Sequence, residues 1–148
     1  MKRYLILISI LVITLVLIVY SLIWYNVHKE YKDNISYIHD YVDEINKSEF
    51  ENYIRENPDV FVYFCITGNN KCNLFEKDFV EILENTNYSD DLVYLNLKDQ
   101  EIKKLYDKYR NGTIPYTYPL IVRFSNHKIK DYVYSIELVE DFFERNID

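Results

Sequence analysis

Glycine and proline are nearly absent: the 148 residues include 2 glycines and 3 prolines. That scarcity argues against long flexible linkers. The 3 histidines, His28, His39 and His127, are scattered, and none stands at metal-ligand spacing from another histidine or a cysteine. No metal is therefore expected. There is no glycine-rich phosphate loop, no Gly-x-Ser-x-Gly and no carboxylate pair that falls together in a site, so no cofactor is expected. Basic residues nowhere cluster among aromatics, which argues against nucleic acid as a partner. The chain is acidic instead, with a formal net charge of −7. An acidic domain also avoids sticking to anionic lipid.

What the sequence does have is apolar mass. Hydrophobic residues make up 49% of it, with 16 tyrosines among them, and a packed core is possible. The length allows one small domain plus an appendage. The appendage comes first. Met1-Lys2-Arg3 leads into an uncharged run over residues 4–27, dominated by Leu, Ile and Val. At about 1.5 Å per residue, roughly 20 apolar residues span a bilayer. Tyr4 at one end and Tyr20, Trp24 and Tyr25 at the other stand where aromatic belts stand. Lys2 and Arg3 favour a cytoplasmic N-terminus and an extracytoplasmic remainder, in a single-pass cell-membrane topology. A cleaved signal peptide would have a shorter apolar core and small residues before the cut, whereas this run contains neither Ala nor Gly. The reading is an uncleaved anchor over 1–27, a stalk over 28–40 and a folded domain over 41–148.

Within the domain, residues 41–45 read as a short strand. Ser48 and Glu51 have capping-box spacing at the start of a helix that shows Phe50, Tyr53 and Ile54 on one face, and Pro58 ends it. Residues 60–65 are a continuous β-branched and aromatic run, the pattern of a buried strand. A turn at Thr67-Gly68-Asn69 follows, and then a helix to about residue 87 with Phe75, Phe79, Ile82 and Leu83 on one face. Residues 92–97 are a second buried strand. Residues 100–109 form a short helix, with Ile102, Leu105, Tyr106 and Tyr109 on one face and a stop at Asn111-Gly112. Residues 119–124 are a third main strand, Ser125-Asn126-His127-Lys128 a hairpin turn and 129–134 a fourth strand. Ile136, Leu138, Val139, Phe142 and Phe143 mark a final amphipathic helix. The order β-α-β-α-β-α-β-β-α describes an α/β domain whose first half is parallel and whose hairpin adds an antiparallel edge.

Phe64 and Cys72 are eight positions apart, and Pro119 precedes Phe124 by five. In both spacings and in element order the domain resembles the thioredoxin family. There a core strand ends in an aromatic eight positions before the second cysteine of Cys-x-x-Cys, and a cis-proline stands five positions before a strand aromatic. The resemblance implies a thioredoxin-like fold, a central mixed sheet flanked by helices, here preceded by one transmembrane helix. It places the motif at Asn69-Asn70-Lys71-Cys72, with Asn69 in the nucleophile's slot, and makes Tyr118-Pro119 a cis bond. It also places Tyr63 where the family has a buried aspartate and Tyr94 where it commonly has a lysine.

Dithiol exchange needs an exposed thiolate at a helix N-terminus and a second thiol to resolve the mixed disulfide. Asn69 cannot ionise, although it is among the best N-caps. With nucleophile, buried acid and lysine all replaced, no catalytic residue is assigned; Cys72 and Cys65 are the candidates. The first reading of that pair is two small buried hydrophobes. A structural disulfide and a catalytic pair are the alternatives, the former requiring Cα atoms within about 7 Å. The expected function is a membrane-tethered domain without dithiol activity that binds or presents an exported protein or peptide. The binding groove would lie between Gly68, Asn69 and Asn70 on one side and Thr117, Tyr118 and Pro119 on the other. Backbone N–H groups at Asn69 to Lys71 would be free there for a carbonyl or carboxylate. The alternative is a thiol-disulfide oxidoreductase of the bacteriocin-export accessory type, acting through Cys72 alone or through Cys65 with Cys72.

Overall fold

The computed structural model describes residues 2–33, 36–97, 104, 108–109 and 114–147. The chain divides into two compact units, 1–34 and 35–148. The first is one helix, α1 (Lys2–Asp33). Its stretch Ile6–Lys29 is long and apolar enough to cross a membrane. Leu, Ile and Val side chains face outward around its whole circumference, the pattern of a helix surrounded by an apolar medium. The hydroxyls of Ser9, Thr14 and Ser21 donate to the carbonyls of Ile6, Leu11 and Leu17. The helix thus satisfies these polar side chains internally, as a lipid surrounding requires.

The second unit contains a five-stranded sheet. Its strands are β1 (Asp43–Glu44), β2 (Asp59–Cys65), β3 (Leu92–Asn96), β4 (Leu120–Ser125) and β5 (Lys128–Val133). They lie in the order β1-β3-β2-β4-β5. β3 is parallel to both β1 and β2, while β4 is antiparallel to β2 and β5. Helices α2 (Lys47–Glu56) and α3 (Asn70–Asn85) follow β1 and β2, and α4 (Val139–Glu144) ends the domain.

Successive β2 residues point to opposite faces of the sheet. Phe61, Tyr63 and Cys65 pack with Cys72, Phe75, Phe79 and Leu83 of α3 and with Phe142 and Phe143 of α4. Val60, Val62 and Phe64 pack with Phe50 and Ile54 of α2 and with Leu120, Val122 and Phe124 of β4. Burial on both faces is why β2 reads as a continuous apolar run and not as an alternating one. The hairpin between β4 and β5 turns on Asn126 and His127, both with positive φ (51° and 65°), the geometry that matches strand twist in a two-residue loop.

Several boundaries differ from the sequence reading. The first strand shrinks to Asp43–Glu44. The helix expected from Ser48 starts earlier, with Asn46 at the N-cap position and Lys47 as its first residue. The residues read as a stalk or as a continuation of the anchor helix fall into two parts. Helix α1 continues to Asp33, and Tyr37–Asp40 forms a 3-10 turn whose Ile38 is fully buried in the core. An apolar residue with a pocket available is drawn into it, and the folded unit consequently begins near residue 35. The helix expected over 100–109 and its stop at Asn111-Gly112 fall for the most part outside the described residues.

Candidate functional site

Phe64, near the end of β2, pairs with Leu120 at the start of β4, and Cys65 pairs with Asn96 at the end of β3. That register brings the loop leaving β2 beside the segment entering β4. The Tyr118–Pro119 peptide bond is cis. An open groove of about 530 Å³, within the range of small-ligand clefts, is lined by Gly68, Asn69, Asn70, Lys71, Tyr116, Thr117 and Tyr118. Five of the six residues expected from the sequence, Gly68, Asn69, Asn70, Thr117 and Tyr118, are therefore brought together. Pro119 is buried behind them. Lys71, expected there only for its backbone N–H, also lines the groove, and Tyr116 is the lining residue that the sequence reading did not name.

Gly68 has a φ of 82°, a value that favours glycine because it has no Cβ. Asn69 then caps α3. Its side-chain oxygen accepts from the N–H of Lys71 at 2.9 Å and of Cys72 at 3.4 Å. This corrects the expectation of free N–H donors across Asn69 to Lys71. The Asn69 N–H donates to the Ile66 carbonyl at 3.0 Å, and the cap has taken the Lys71 N–H. The N–H groups of Asn69, Lys71 and Cys72 at the helix end are thus taken by the chain itself.

Cys65 and Cys72 are joined in a disulfide, with Cα atoms 6.0 Å apart, inside the usual span for such bonds. The reading of two separate buried thiols is thereby corrected: strand end and helix start come close enough to bond. Both residues are fully buried. The bond closes a short loop, with a sequence separation of 7; by chain entropy a loop of that size stabilises by roughly 2–3 kcal/mol.

Beneath the loop lies a polar cluster on the side of the sheet that α3 covers. Tyr63 and Tyr94 are paired in register and both are fully buried. The Tyr94 hydroxyl and Thr67 Oγ1 are 2.9 Å apart, and the Thr67 N–H donates to Asn96 Oδ1 at 3.2 Å. The Tyr63 hydroxyl donates to Glu76 Oε1 at 3.1 Å, and the Tyr37 N–H donates to Glu76 Oε2 at 2.8 Å. Glu76 is 1% exposed. The buried acid that the strand lacks is thus present on the helix, one turn after Cys72. Burial raises the Glu76 carboxyl above its ordinary value, while the Ser36 and Tyr63 side chains and the N–H groups of Tyr37 and Ile38 pull it back. Burial also raises the Tyr63 and Tyr94 phenols, so both stay protonated at physiological pH. A sequence signal for Glu76 existed: it interrupts the apolar face formed by Cys72, Phe75 and Phe79. Among the described residues no group of acidic, histidine and cysteine side chains is placed to hold a metal.

A raised carboxyl makes the fold more stable when protonated. Its contribution is complete below the unfolded value near 4.5 and is lost as pH rises through the higher folded value. Glu76→Gln should remove that dependence. Measured by urea unfolding across mildly acidic to neutral pH, the wild type should lose stability relative to the variant as pH rises, then run parallel to it. Equal pH slopes for both proteins would contradict the assignment.

No family model matches the chain, and no curated protein matches it. Among solved structures it is similar to thioredoxin f2 of Chlamydomonas reinhardtii, with a TM-score of 0.55 and 15% identity over 72% of this chain and 96% of that one. Mitochondrial thioredoxin 3 of Saccharomyces cerevisiae gives 0.51 and 14% over 75% and 99%. The thioredoxin of Plasmodium falciparum gives 0.51 and 17% over 70% and 98%. At these identities the likeness is one of fold: after its N-terminal apolar helix the chain has the thioredoxin fold.

Proposed function

We propose that this is a membrane-anchored, extracytoplasmic thioredoxin-like domain that holds or presents an extended segment of an exported protein without thiol exchange. One observation carries the reading. An open groove stands at the fold's usual reactive position, Asn69 occupies the nucleophile's slot on its wall, and the chain's only two cysteines are bonded to each other below. A thiolate must be reachable to attack, and neither sulfur is exposed. Strand-like addition of a peptide beside Pro119 needs no sulfur. Tyr116 and Tyr118 offer rigid aromatic area at low entropic cost, and Asn70 and Lys71 offer polar contacts.

The oxidoreductase reading rests on the same disulfide, since Cys65 and Cys72 form a two-electron couple. The two readings separate in one assay. The full-length chain in detergent should give no turnover of a model disulfide substrate recycled with a dithiol. Turnover that Cys72→Ser abolishes would overturn the binding reading in favour of the enzyme.

The groove itself is tested by Tyr118→Ala and, separately, Asn69→Arg. Each should weaken retention on an array of extended peptides by about tenfold, the scale of losing one aromatic anchor, with an unchanged circular dichroism spectrum. Undiminished retention by both variants would exclude the groove as the binding surface.

Topology follows from Lys2 and Arg3 ahead of the apolar run. Protease added outside spheroplasts should digest the domain and leave the anchor in the membrane. A domain protected until the membrane is permeabilised would reverse the orientation, and recovery of a soluble shortened domain would show cleavage.

A further inference from the structure

The loop that forms one wall of the groove is fastened in two independent ways. Its ends are Cys65 and Cys72, joined to each other. Its body is pinned to β3: the Thr67 N–H donates to Asn96 Oδ1, and the Thr67 hydroxyl meets the Tyr94 hydroxyl. One step earlier the Leu97 N–H donates to the Cys65 carbonyl at 2.8 Å, which prolongs the β2–β3 ladder to the loop's base. The Ile66 N–H faces Cys72 Sγ at 3.3 Å, so the sulfur also lies within the loop's own polar contacts. Between the fastenings, Gly68, Asn69, Asn70 and Lys71 line the groove. The sheet is independent of the bond, because β2 is paired along most of its length with both β3 and β4.

We propose that the Cys65–Cys72 disulfide is a redox-sensitive brace for the groove, and that Tyr94 and Asn96 are positioning residues that hold the same loop through Thr67. The consequence for ligand binding rests on the binding reading above, while the brace itself does not. Reduction is a two-electron step. A thiolate of a dithiol attacks one sulfur and the other leaves as a thiolate. The dithiol's second thiol then displaces the first sulfur, which leaves two cysteine thiols and one oxidised dithiol. Both sulfurs are buried, so a reductant reaches them only when the loop opens. The reduced loop is then held by hydrogen bonds without the covalent link, those of Thr67 to β3 and those of Asn69 within the turn. Dithiol chemistry in the surrounding compartment thereby sets how well formed the groove is, with the cysteines acting as a structural switch and not as a nucleophile.

The test is amide hydrogen exchange on the full-length chain in detergent, in three forms: oxidised, treated with dithiothreitol, and carrying Cys65→Ala with Cys72→Ala. The double variant supplies the bond-free state even where the reductant does not reach the sulfurs. Amides of Ile66, Asn69 and Cys72 should exchange about tenfold faster without the bond, while amides in the middle of β2 and β4 keep their protection. Tyr94→Phe in the oxidised chain should loosen the loop less than loss of the bond does, and the two changes combined should loosen it most. Unchanged loop exchange in the double variant would overturn the brace, as would sheet amides that exchange as fast as the loop. Retention on the extended-peptide array is read in parallel. Loop loosening with equal retention in both redox states counts against the groove as the binding surface and leaves the brace standing.

Discussion

Strand β2 is covered on both faces and paired along both edges, and the rest of the domain is arranged to make that possible. β3 and β4 take its hydrogen bonds. Helices α3 and α4 cover the face of Phe61 and Tyr63, and α2 covers the face of Val62 and Phe64. A buried aromatic or branched residue is worth about 1.5–3 kcal/mol, and β2 places five such positions in sequence, Val60 to Phe64. The same enclosure decides where chemistry can occur. A strand covered on every side meets solvent only at its ends. At its C-terminal end the loop 66–69, the start of α3 and the cis Tyr118–Pro119 segment converge, and the groove opens there.

Charge near that end has been rearranged. Two tyrosines, paired across β2 and β3, occupy the positions that the family resemblance assigns to an aspartate and a lysine. Phenols buried among aromatics cost less to desolvate than ions do, and each here has a hydroxyl partner. Glu76, the one buried carboxylate among the described residues, sits on α3 and turns toward the segment that follows α1, where it accepts the Tyr37 N–H. This acid fastens the start of the folded unit to α3 through hydrogen bonds to the chain. The cluster is a structural joint beneath the groove, with tyrosine hydroxyls as its hinges.

The fold was legible because its signals are periodic. The continuous apolar run of β2, the apolar spacing in α3 and the residues at the hairpin turn each have a direct physical reading, and each element is present. The groove was legible because both of its walls are set by short-range features, Gly68-Asn69 on one side and Tyr118-Pro119 on the other. What stayed hidden depended on distances between elements. The approach of Cys65 to Cys72 is fixed by how tightly the chain turns between β2 and α3, and seven residues of separation do not specify it. The drawing of Ile38 into the core depends on a pocket that exists only once α3 is in place. Tyr116 lines the groove because of loop geometry before Tyr118. Glu76 was visible as a charge within an apolar stripe, but its partner, the backbone at Tyr37, was not.

Asn69 stands where the family resemblance places the nucleophile. A cysteine at a helix N-terminus leaves the backbone donors free, and their partial positive charge stabilises its thiolate. Asn69 accepts from the Lys71 and Cys72 N–H groups itself, so those donors are taken. The helix end loses much of its attraction for anions through the same two hydrogen bonds. What remains on that wall is the glycine turn, the Asn70 amide and the Lys71 ammonium, opposite tyrosine rings and the backbone of the cis-proline segment. These groups present aromatic area and hydrogen-bonding edges, which is the basis for proposing an extended polypeptide as the ligand. In a covalent mechanism the site would have to rearrange after the first bond formed, and a braced loop resists that. In non-covalent binding the same brace lowers the entropy lost on association, so the stiffness that disfavours exchange favours capture.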